Sequence, residues 1–319
     1  MIVCIIGGTG TLAKALIPLL VKNPQISRIR VLSRGEHRQI EMMEEFQGLP
    51  IDYLVGDVRD AERIKRATEG CSVVFHFAAV KSVDAAEYNP WEAVLTNIVG
   101  TKNVIEACYA NNVESALFTS TDKAVEPLNI YGASKLCAEK LFIQANIGKH
   151  KTKFAVCRYG NVLGSQGSVL TKWKRALEKG EKIKITDEAM TRFFITPQKA
   201  AELVNTCYYE MRGGEVFIPK MKSVTMINLA RAFIGKDFKL DQVEWMGIRP
   251  GEKLHEVLVA QSEASLTTDA GSKYIRWPEL QLYPVQKHGD CIKKGFTSQS
   301  ADRFTESELK ELLSDAGYR

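Results

Sequence analysis

The sequence predicts an α/β protein: a doubly wound parallel sheet joined to a smaller, interleaved C-terminal domain. Three observations carry that expectation. Short apolar strands alternate with helical patterns through five rounds in the first half of the chain; a glycine turn follows the first strand; and a later strand leads into a helix with Tyr131 and Lys135 four residues apart. Alternation of this kind fits a parallel sheet covered by helices on both faces.

Residues 2–6 (I-V-C-I-I) run into G-G-T-G-T-L-A and then a helix, L-A-K-A-L-I-P-L-L-V. Strand, glycine turn and helix in that order form the dinucleotide site of a Rossmann-type fold. Gly7 permits the tight turn, Gly10 lets backbone approach a pyrophosphate at the helix N-terminus, and Thr9, Thr11 and Leu12 complete the surface offered to the cofactor. Ala13 stands where a third glycine would allow the closest helix packing.

The second strand, I-R-V-L-S, ends at Ser33 and Arg34, where an NAD site would place an acidic residue against the adenosine ribose. A hydroxyl followed by a guanidinium suits a 2′-phosphate, which favours NADP over NAD. The alternative for Arg34 is a solvated surface arginine. The third strand, I-D-Y-L-V, leads to G-D-V-R-D, where Asp57 is placed to accept from the adenine amino group, with Val58 beside it. The fourth, V-V-F-H-F-A-A, ends in Ala78 and Ala79, small enough for a cofactor to lie against backbone, and Lys81 is a nearby cation. His76, in the middle of that apolar run, reads as a core histidine. One long helix is expected over 90–112, carrying Asn97.

The stretch L-F-T-S-T-D-K-A-V-E-P-L-N-I-Y-G-A-S-K-L-C-A-E-K-L, 117–141, holds the chemistry. A phenol, with a reference pKa of about 10, is a poor base near neutrality unless a cation stabilises its phenolate. Helical spacing puts Lys135 one turn from Tyr131, so Tyr131 can move a proton on a substrate hydroxyl. Ser120, Thr121, Asp122 and Lys123 leave the strand just before that helix and can face the same substrate. Taken alone, Y-x-x-x-K is as readily a plain amphipathic pair.

A further strand over 153–158 follows, and beyond Gly164 the alternation degrades. A basic helix over 169–179, a strand K-I-K-I-T and the run T-R-F-F-I-T come next, then a helix over 197–211 and a strand E-V-F-I-P that return to the main sheet. The expected division is a cofactor domain over 1–165 with a return segment at about 197–219, a substrate domain over 166–196 and 220–280, and a C-terminal extension over 281–319. The extension ends in a helix opened by a Thr305/Glu308 capping box and closed by Gly317.

Composition bounds the partners. A hydrophobic fraction of 45%, a charged fraction of 25% and a net charge of +5 without a basic block suit a globular protein with an anionic small-molecule ligand, and no nucleic-acid module is legible. Met1 leads straight into a strand with no leader pattern or long apolar run, so a cytoplasmic protein without membrane attachment is expected. Seven cysteines without a C-x-x-C pair, and five histidines without ligand spacing, read as reduced residues and no metal site.

Together these motifs resemble the extended short-chain dehydrogenase/reductases over about 2–258, and within them the inverting UDP-N-acetylglucosamine 4,6-dehydratases. The narrower resemblance rests on S-T-D-K-A with P-L-N-I-Y-G-A-S-K, on R-Y-G-N-V with G-S-V, on M-T-R-F-F-I-T and on R-P-G-E-K-L-H-E. It implies working roles for Thr121, Asp122, Lys123, Tyr131 and Lys135, with Asn97 supporting the lysine through a water or backbone link. Lys123 stands where the commoner hexose dehydratases carry Glu, which points to the inverting branch.

In the implied reaction, Tyr131 takes the proton of the carbon 4 hydroxyl during oxidation. Lys123, its pKa lowered by burial or neighbouring cations, takes the carbon 5 proton, and protonated Asp122 donates to the departing carbon 6 hydroxyl. For the substrate diphosphate, Arg249 is the leading candidate, Glu252 is available to a ribose hydroxyl and Asn161 to a phosphate oxygen; Ser168, Arg192 and Lys81 are weaker candidates. Homo-oligomerisation through the long helices is also implied. The competing readings are a nucleotide-sugar 4-epimerase and a non-catalytic NADP-binding protein.

Overall fold

The computed structural model describes residues 1–148, 150–165, 167–279 and 289–318. Its first six strands are β1 (Ile2–Ile6), β2 (Arg28–Ser33), β3 (Ile51–Val55), β4 (Val73–His76), β5 (Ser115–Thr121) and β6 (Lys153–Tyr159). The helices between them are α1 (Thr11–Val21), α2 (Glu36–Glu45), α3 (Ala61–Thr68), α4 (Val83–Tyr88), α5 (Pro90–Ala93), α6 (Gly100–Ala110) and α7 (Ile130–Gln144). After β6 come β7 (Asn161–Val162), α8 (Val169–Glu178), β8 (Ile183–Ile185), β9 (Thr191–Ile195), α9 (Pro197–Glu210), β10 (Val216–Pro219), β11 (Ser223–Thr225) and α10 (Met226–Ile234). The chain continues through β12 (Val243–Trp245), β13 (Val257–Val259), β14 (Thr267–Asp269), β15 (Lys273–Arg276), β16 (Phe296–Thr297) and α11 (Glu306–Asp315).

The main sheet has the order β14-β15-β10-β6-β5-β4-β1-β2-β3. From β3 to β10 every pairing is parallel, while β15 and β14 add an antiparallel edge. This is the expected doubly wound Rossmann-type sheet. Helices cover both faces of its centre, so β1 is a continuous apolar run and all seven residues of β5, its hydroxyl residues included, are buried. The order reverses at β1, which pairs with β2 on one side and β4 on the other, so a crevice opens at the carboxyl ends of these strands.

A second apolar cluster forms the core of the smaller lobe. It gathers Leu170 and Trp173 of α8, Ile183 of β8, Leu229 of α10, Val243 of β12, and Leu309 and Leu313 of α11. The last helix therefore packs inside this lobe. Its capping box forms as expected, with Thr305 Oγ1 accepting from the Glu308 amide at 3.3 Å and the Glu308 carboxylate accepting from the Thr305 amide at 2.9 Å. The expected boundary at 280/281 falls outside the described residues.

One element differs from expectation. The helix expected to run unbroken over 90–112 carries a π-helical turn, Val94–Val99, between α5 and α6. The wider turn places the Asn97 amide against a loop: its Oδ1 accepts from the Val80 amide at 2.8 Å, and its Nδ2 donates to Val80 O at 3.1 Å and Ser134 Oγ at 2.9 Å. Asn97 thus ties the end of the fourth strand's loop to α7. Hydrophobic periodicity cannot reveal such a turn, because it is fixed by these polar contacts. His76 lies fully buried beside Phe118 and Phe142 with Nε2 3.0 Å from Thr101 Oγ1, and burial, with the Lys135 charge nearby, lowers its pKa to about 3.

Candidate active site

A cleft of about 1470 Å³ opens at the carboxyl ends of the parallel strands and runs between the two lobes. At its floor Gly7 adopts a φ of +84°, and a Cβ there would stand 2.6 Å from Ala78 N. The ends of β1 and β4 therefore close into a bare backbone cradle that only glycine permits. Gly10 starts α1 with no side chain capping the helix, and Thr9, Thr11, Leu12, Ala78, Ala79 and Lys81 border the same floor. Burial, and then the Arg38 charge, lower the pKa of Lys81.

At the far end of this floor, Ser33 is buried and its hydroxyl accepts from Gln39 Nε2 at 2.9 Å. Arg34 is largely exposed and lines the cleft together with His37 and Arg38, two residues the motif reading missed because they lie on α2, outside the glycine turn and the strand end. Asp57 does not border the cleft, although Val58 does. Its carboxylate is engaged by Arg59 at 2.6 Å and lies 3.9 Å from Arg34. Burial alone would raise its pKa, but the Arg59 hydrogen bonds and charge outweigh that and lower it. The carboxylate expected to meet an adenine is thus held by a guanidinium two residues on.

The middle of the cleft holds the chemistry. Asn129 caps α7 by accepting from the Gly132 amide at 2.8 Å, which fixes the first turn and the direction of Tyr131. Tyr131 is buried, and burial raises its pKa against the opposing influence of Lys123 and of the Thr121 hydroxyl. The expected partner, Lys135, is otherwise engaged: its Nζ donates to Thr119 O at 2.7 Å and sits 3.8 Å above the Phe118 ring. Burial brings Lys135 down to about 7 although Glu139 acts the other way. The cation acting most strongly on the phenol is therefore Lys123, because the i, i+4 spacing sets Cα positions while the buried strand end captures the Lys135 ammonium.

Asp122 and Lys123 form a short 3-10 turn directly after β5. The Asp122 carboxylate is completely buried; Oδ1 accepts from Thr121 Oγ1 at 2.9 Å and Lys123 Nζ at 3.0 Å, while Oδ2 has no partner among the described residues. Burial raises its pKa, as the protonated role requires. Asp122 stands behind the cleft wall, in touch with the cavity through Lys123 and Thr121. For Lys123 the expectation fails: burial would lower its pKa, but Asp122 and Glu256, 3.2 Å away, together raise it, so the resting side chain is a firmly held ammonium. Sequence reasoning misses Glu256 although it ends the R-P-G-E-K-L-H-E run, because that run points first to diphosphate and ribose contacts through Arg249 and Glu252.

At the outer end, Asn161 Oδ1 accepts from Lys123 Nζ at 3.3 Å, which puts this amide in the catalytic cluster. Arg192 lines the cleft, but its guanidinium already donates to the carbonyls of Thr191, Lys253 and Leu254 at 2.8, 2.9 and 3.1 Å and lies 3.6 Å from Glu256. Arg249 is half exposed, paired with Glu252 at 2.5 Å and with Asp84 at 3.7 Å; Glu252 also approaches Thr186. Ser168 precedes α8, its hydroxyl 3.2 Å from Thr171 Oγ1. Among the described residues no cluster of His, Cys, Asp or Glu has the arrangement of a metal site, and no helix is long and apolar enough to cross a membrane.

Comparison with known proteins agrees with this layout. A family model described as polysaccharide biosynthesis protein matches residues 3–277. The UDP-N-acetylglucosamine 4,6-dehydratase (inverting) of Campylobacter jejuni subsp. jejuni serotype O:23/36 (strain 81-176) is 40% identical over 98% of this chain and 96% of its own length. The UDP-glucose 4-epimerase of Rickettsia bellii (strain RML369-C) is 35% identical over 98% of this chain and 95% of its own. The X-ray structure of Pen from Bacillus thuringiensis superposes with a TM-score of 0.91 at 35% identity, covering 100% of this chain and 98% of that one.

Proposed function

The chain belongs to the family described as polysaccharide biosynthesis protein, and from that premise we propose that it is a nucleotide-sugar 4,6-dehydratase, converting UDP-N-acetylglucosamine to the 4-keto-6-deoxy sugar with inversion at carbon 5. The observation that carries the reading is Lys123: a half-buried amine beside Tyr131, hydrogen-bonded to a carboxyl whose pKa burial raises. A reaction confined to carbon 4 needs the phenol and has no work for such a pair.

The floor of the cleft fits a nicotinamide dinucleotide: the Gly7/Ala78 cradle admits only backbone, and the uncapped start of α1 offers amides to a pyrophosphate. Such a cofactor supplies hydride transfer, removing it at carbon 4 and returning it at carbon 6. Arg34, with Arg38 and His37 at the same corner, supports the NADP form. Arg249 and Lys81, both lining the cleft, serve the substrate diphosphate in this reading. The reading extends to a cytoplasmic homo-oligomer whose product enters surface glycan or nonulosonic acid synthesis.

Tyr131 accepts the carbon 4 hydroxyl proton, its ionisation eased by Lys123. The resulting ketone acidifies carbon 5. For Lys123 to act there, its ammonium first passes a proton across the 3.0 Å hydrogen bond to Asp122, the completely buried partner, whose carboxyl is favoured in its neutral form by burial. The neutral amine then takes the carbon 5 proton and the C5–H electron pair forms the C5–C6 double bond. The C6–O bond breaks, and its oxygen leaves as water with the proton from Asp122. The pair finishes as the Asp122/Lys123 ion pair seen at rest, and once hydride has reached carbon 6 the enolate takes a solvent-derived proton at carbon 5 on the face opposite Lys123.

The decisive experiment is incubation with UDP-N-acetylglucosamine in heavy water, the product read by NMR. Deuterium at carbon 5, a methyl group at carbon 6 and inverted configuration are expected. The resemblance to the Rickettsia enzyme favours the second reading, a 4-epimerase. A product that keeps its 6-hydroxyl and differs only at carbon 4 would establish that alternative.

A further inference from the structure

Glu256 has no part in the reaction as derived, yet its carboxylate is buried at the cleft between two cations. It immediately precedes β13, and its backbone is locked by two 2.8 Å bonds, from its amide to Ser298 Oγ and from the Ser298 amide to its carbonyl. Its neighbours Leu254 and Leu258 pack in the smaller and the main core respectively, so it sits at the seam between them. The side chain is 3% exposed, with Oε1 3.2 Å from Lys123 Nζ and 3.6 Å from Arg192 Nε. Oε2 is buried without a partner among the described residues.

We propose that Glu256 is a positioning residue for the carbon 5 base, a second carboxylate that holds Lys123 beside Asp122 so that the working amine is assembled only where the two lobes meet. The proposal rests on the dehydratase reading. Lys123 leaves a short turn with a long, rotatable stem, and Asp122 alone, one residue away, would hold it against its own strand. Glu256 draws it instead toward the smaller lobe, where Asn161 of β7 accepts a third bond. The charged and titratable groups facing the pair are Asp122 beside Lys123, Tyr131 from α7, Arg192 from β9, and Lys253 from the segment carrying Glu256. Arg192 lies 3.6 Å from the same Glu256 oxygen, and removal of Glu256 would leave Lys123 to Asp122 and Asn161 alone.

The sign of the test follows from these charges. The Asp122/Lys123 pair must keep the one proton it shares, so kcat/KM falls at high pH as that proton is lost to solvent. Glu256→Gln removes one of two counter-charges while Arg192 and Lys253 remain, which lowers the Lys123 pKa and moves the falling limb to lower pH by about one unit or more. Its turnover at the plateau is also expected to fall at least tenfold, since a neutral amide holds the amine less tightly. Glu256→Asp keeps the charge one methylene further back and should give a limb between the two. A uniform loss in Glu256→Gln with the limb unmoved overturns the proposal, because a merely structural role predicts that result. Should Glu256→Gln fail to fold, a Glu256→Asp profile superposing on the wild type's overturns it equally. Absence of deuterium entry in the wild type itself would strike the dehydratase reading instead.

Discussion

Tyr131→Phe deletes one hydroxyl and almost no volume from a buried site, so it separates chemistry from binding. Turnover should fall by about 10²-fold or more, the scale of a lost general acid–base group, while calorimetric affinity for UDP-N-acetylglucosamine stays within a few-fold of wild type. Intact turnover would reduce the tyrosine to a packing residue. Arg34 is argued on charge. Wild type should bind NADP more tightly than NAD in an equilibrium titration, and Arg34→Ala should cut that preference by about 1.5–3 kcal/mol, the worth of a charge-assisted hydrogen bond. Arg38 and His37 at the same corner would leave a residual preference. Residue types at this scale were legible: a phenol, an amine and a carboxyl at 131, 123 and 122 name the chemistry. Their charge states were not, because Lys123 owes its raised pKa to Asp122 together with Glu256, and the second lies far along the chain.

At the scale of elements, the site depends on how closely α7 meets the turn after β5. Gly132 lies in the first turn of α7, and a Cβ there would stand 2.1 Å from Lys123 O. That approach sets the distance between Tyr131 and Lys123. Gly132→Ala must push the two elements apart, with a cost of about 1–3 kcal/mol in denaturant unfolding, as for overpacking, and a larger loss of turnover than of stability. Wild-type turnover by the variant would mean that the spacing is not critical. The strands and most helices could be read from periodicity because the buried stripe of each element is written in its own residues. The π-helical turn at Val94–Val99 could not, since Val80 and Ser134 hold it from outside.

For the whole molecule, the catalytic helix is anchored by a buried ion network. Arg158 on β6 grips Glu139 of α7 at 2.7 Å and Glu263 at 2.8 Å, and Glu263 in turn meets Arg276 of β15 at 2.9 Å. Arg158 and Glu139 are 1% and 2% exposed, so neither charge can fall back on water. Arg158→Met should therefore destabilise the protein by about 3–5 kcal/mol, the consequence of leaving a buried carboxylate unpaired. A chemical-denaturation curve reads this directly; a loss below about 1 kcal/mol would place the pair among surface-like contacts. Activity should decline with it, because Glu139 lies one helical turn beyond Lys135.

The sequence by itself determined the doubly wound sheet, the glycine cradle and the positions of Asp122, Lys123, Tyr131 and Lys135, since these follow from local periodicity and from spacing along one strand and one helix. It also supplied R-P-G-E-K-L-H-E as a motif, without revealing that its last glutamate meets the lysine of S-T-D-K-A. Only the tertiary structure decided that Lys135 turns to Thr119 O, that Arg59 takes Asp57, and that Lys123 rests as an ammonium between two carboxylates. Spacing along an element fixes where a Cα stands; the bonding and protonation of a buried side chain are set by desolvation and by whichever charges the fold brings within a few ångströms.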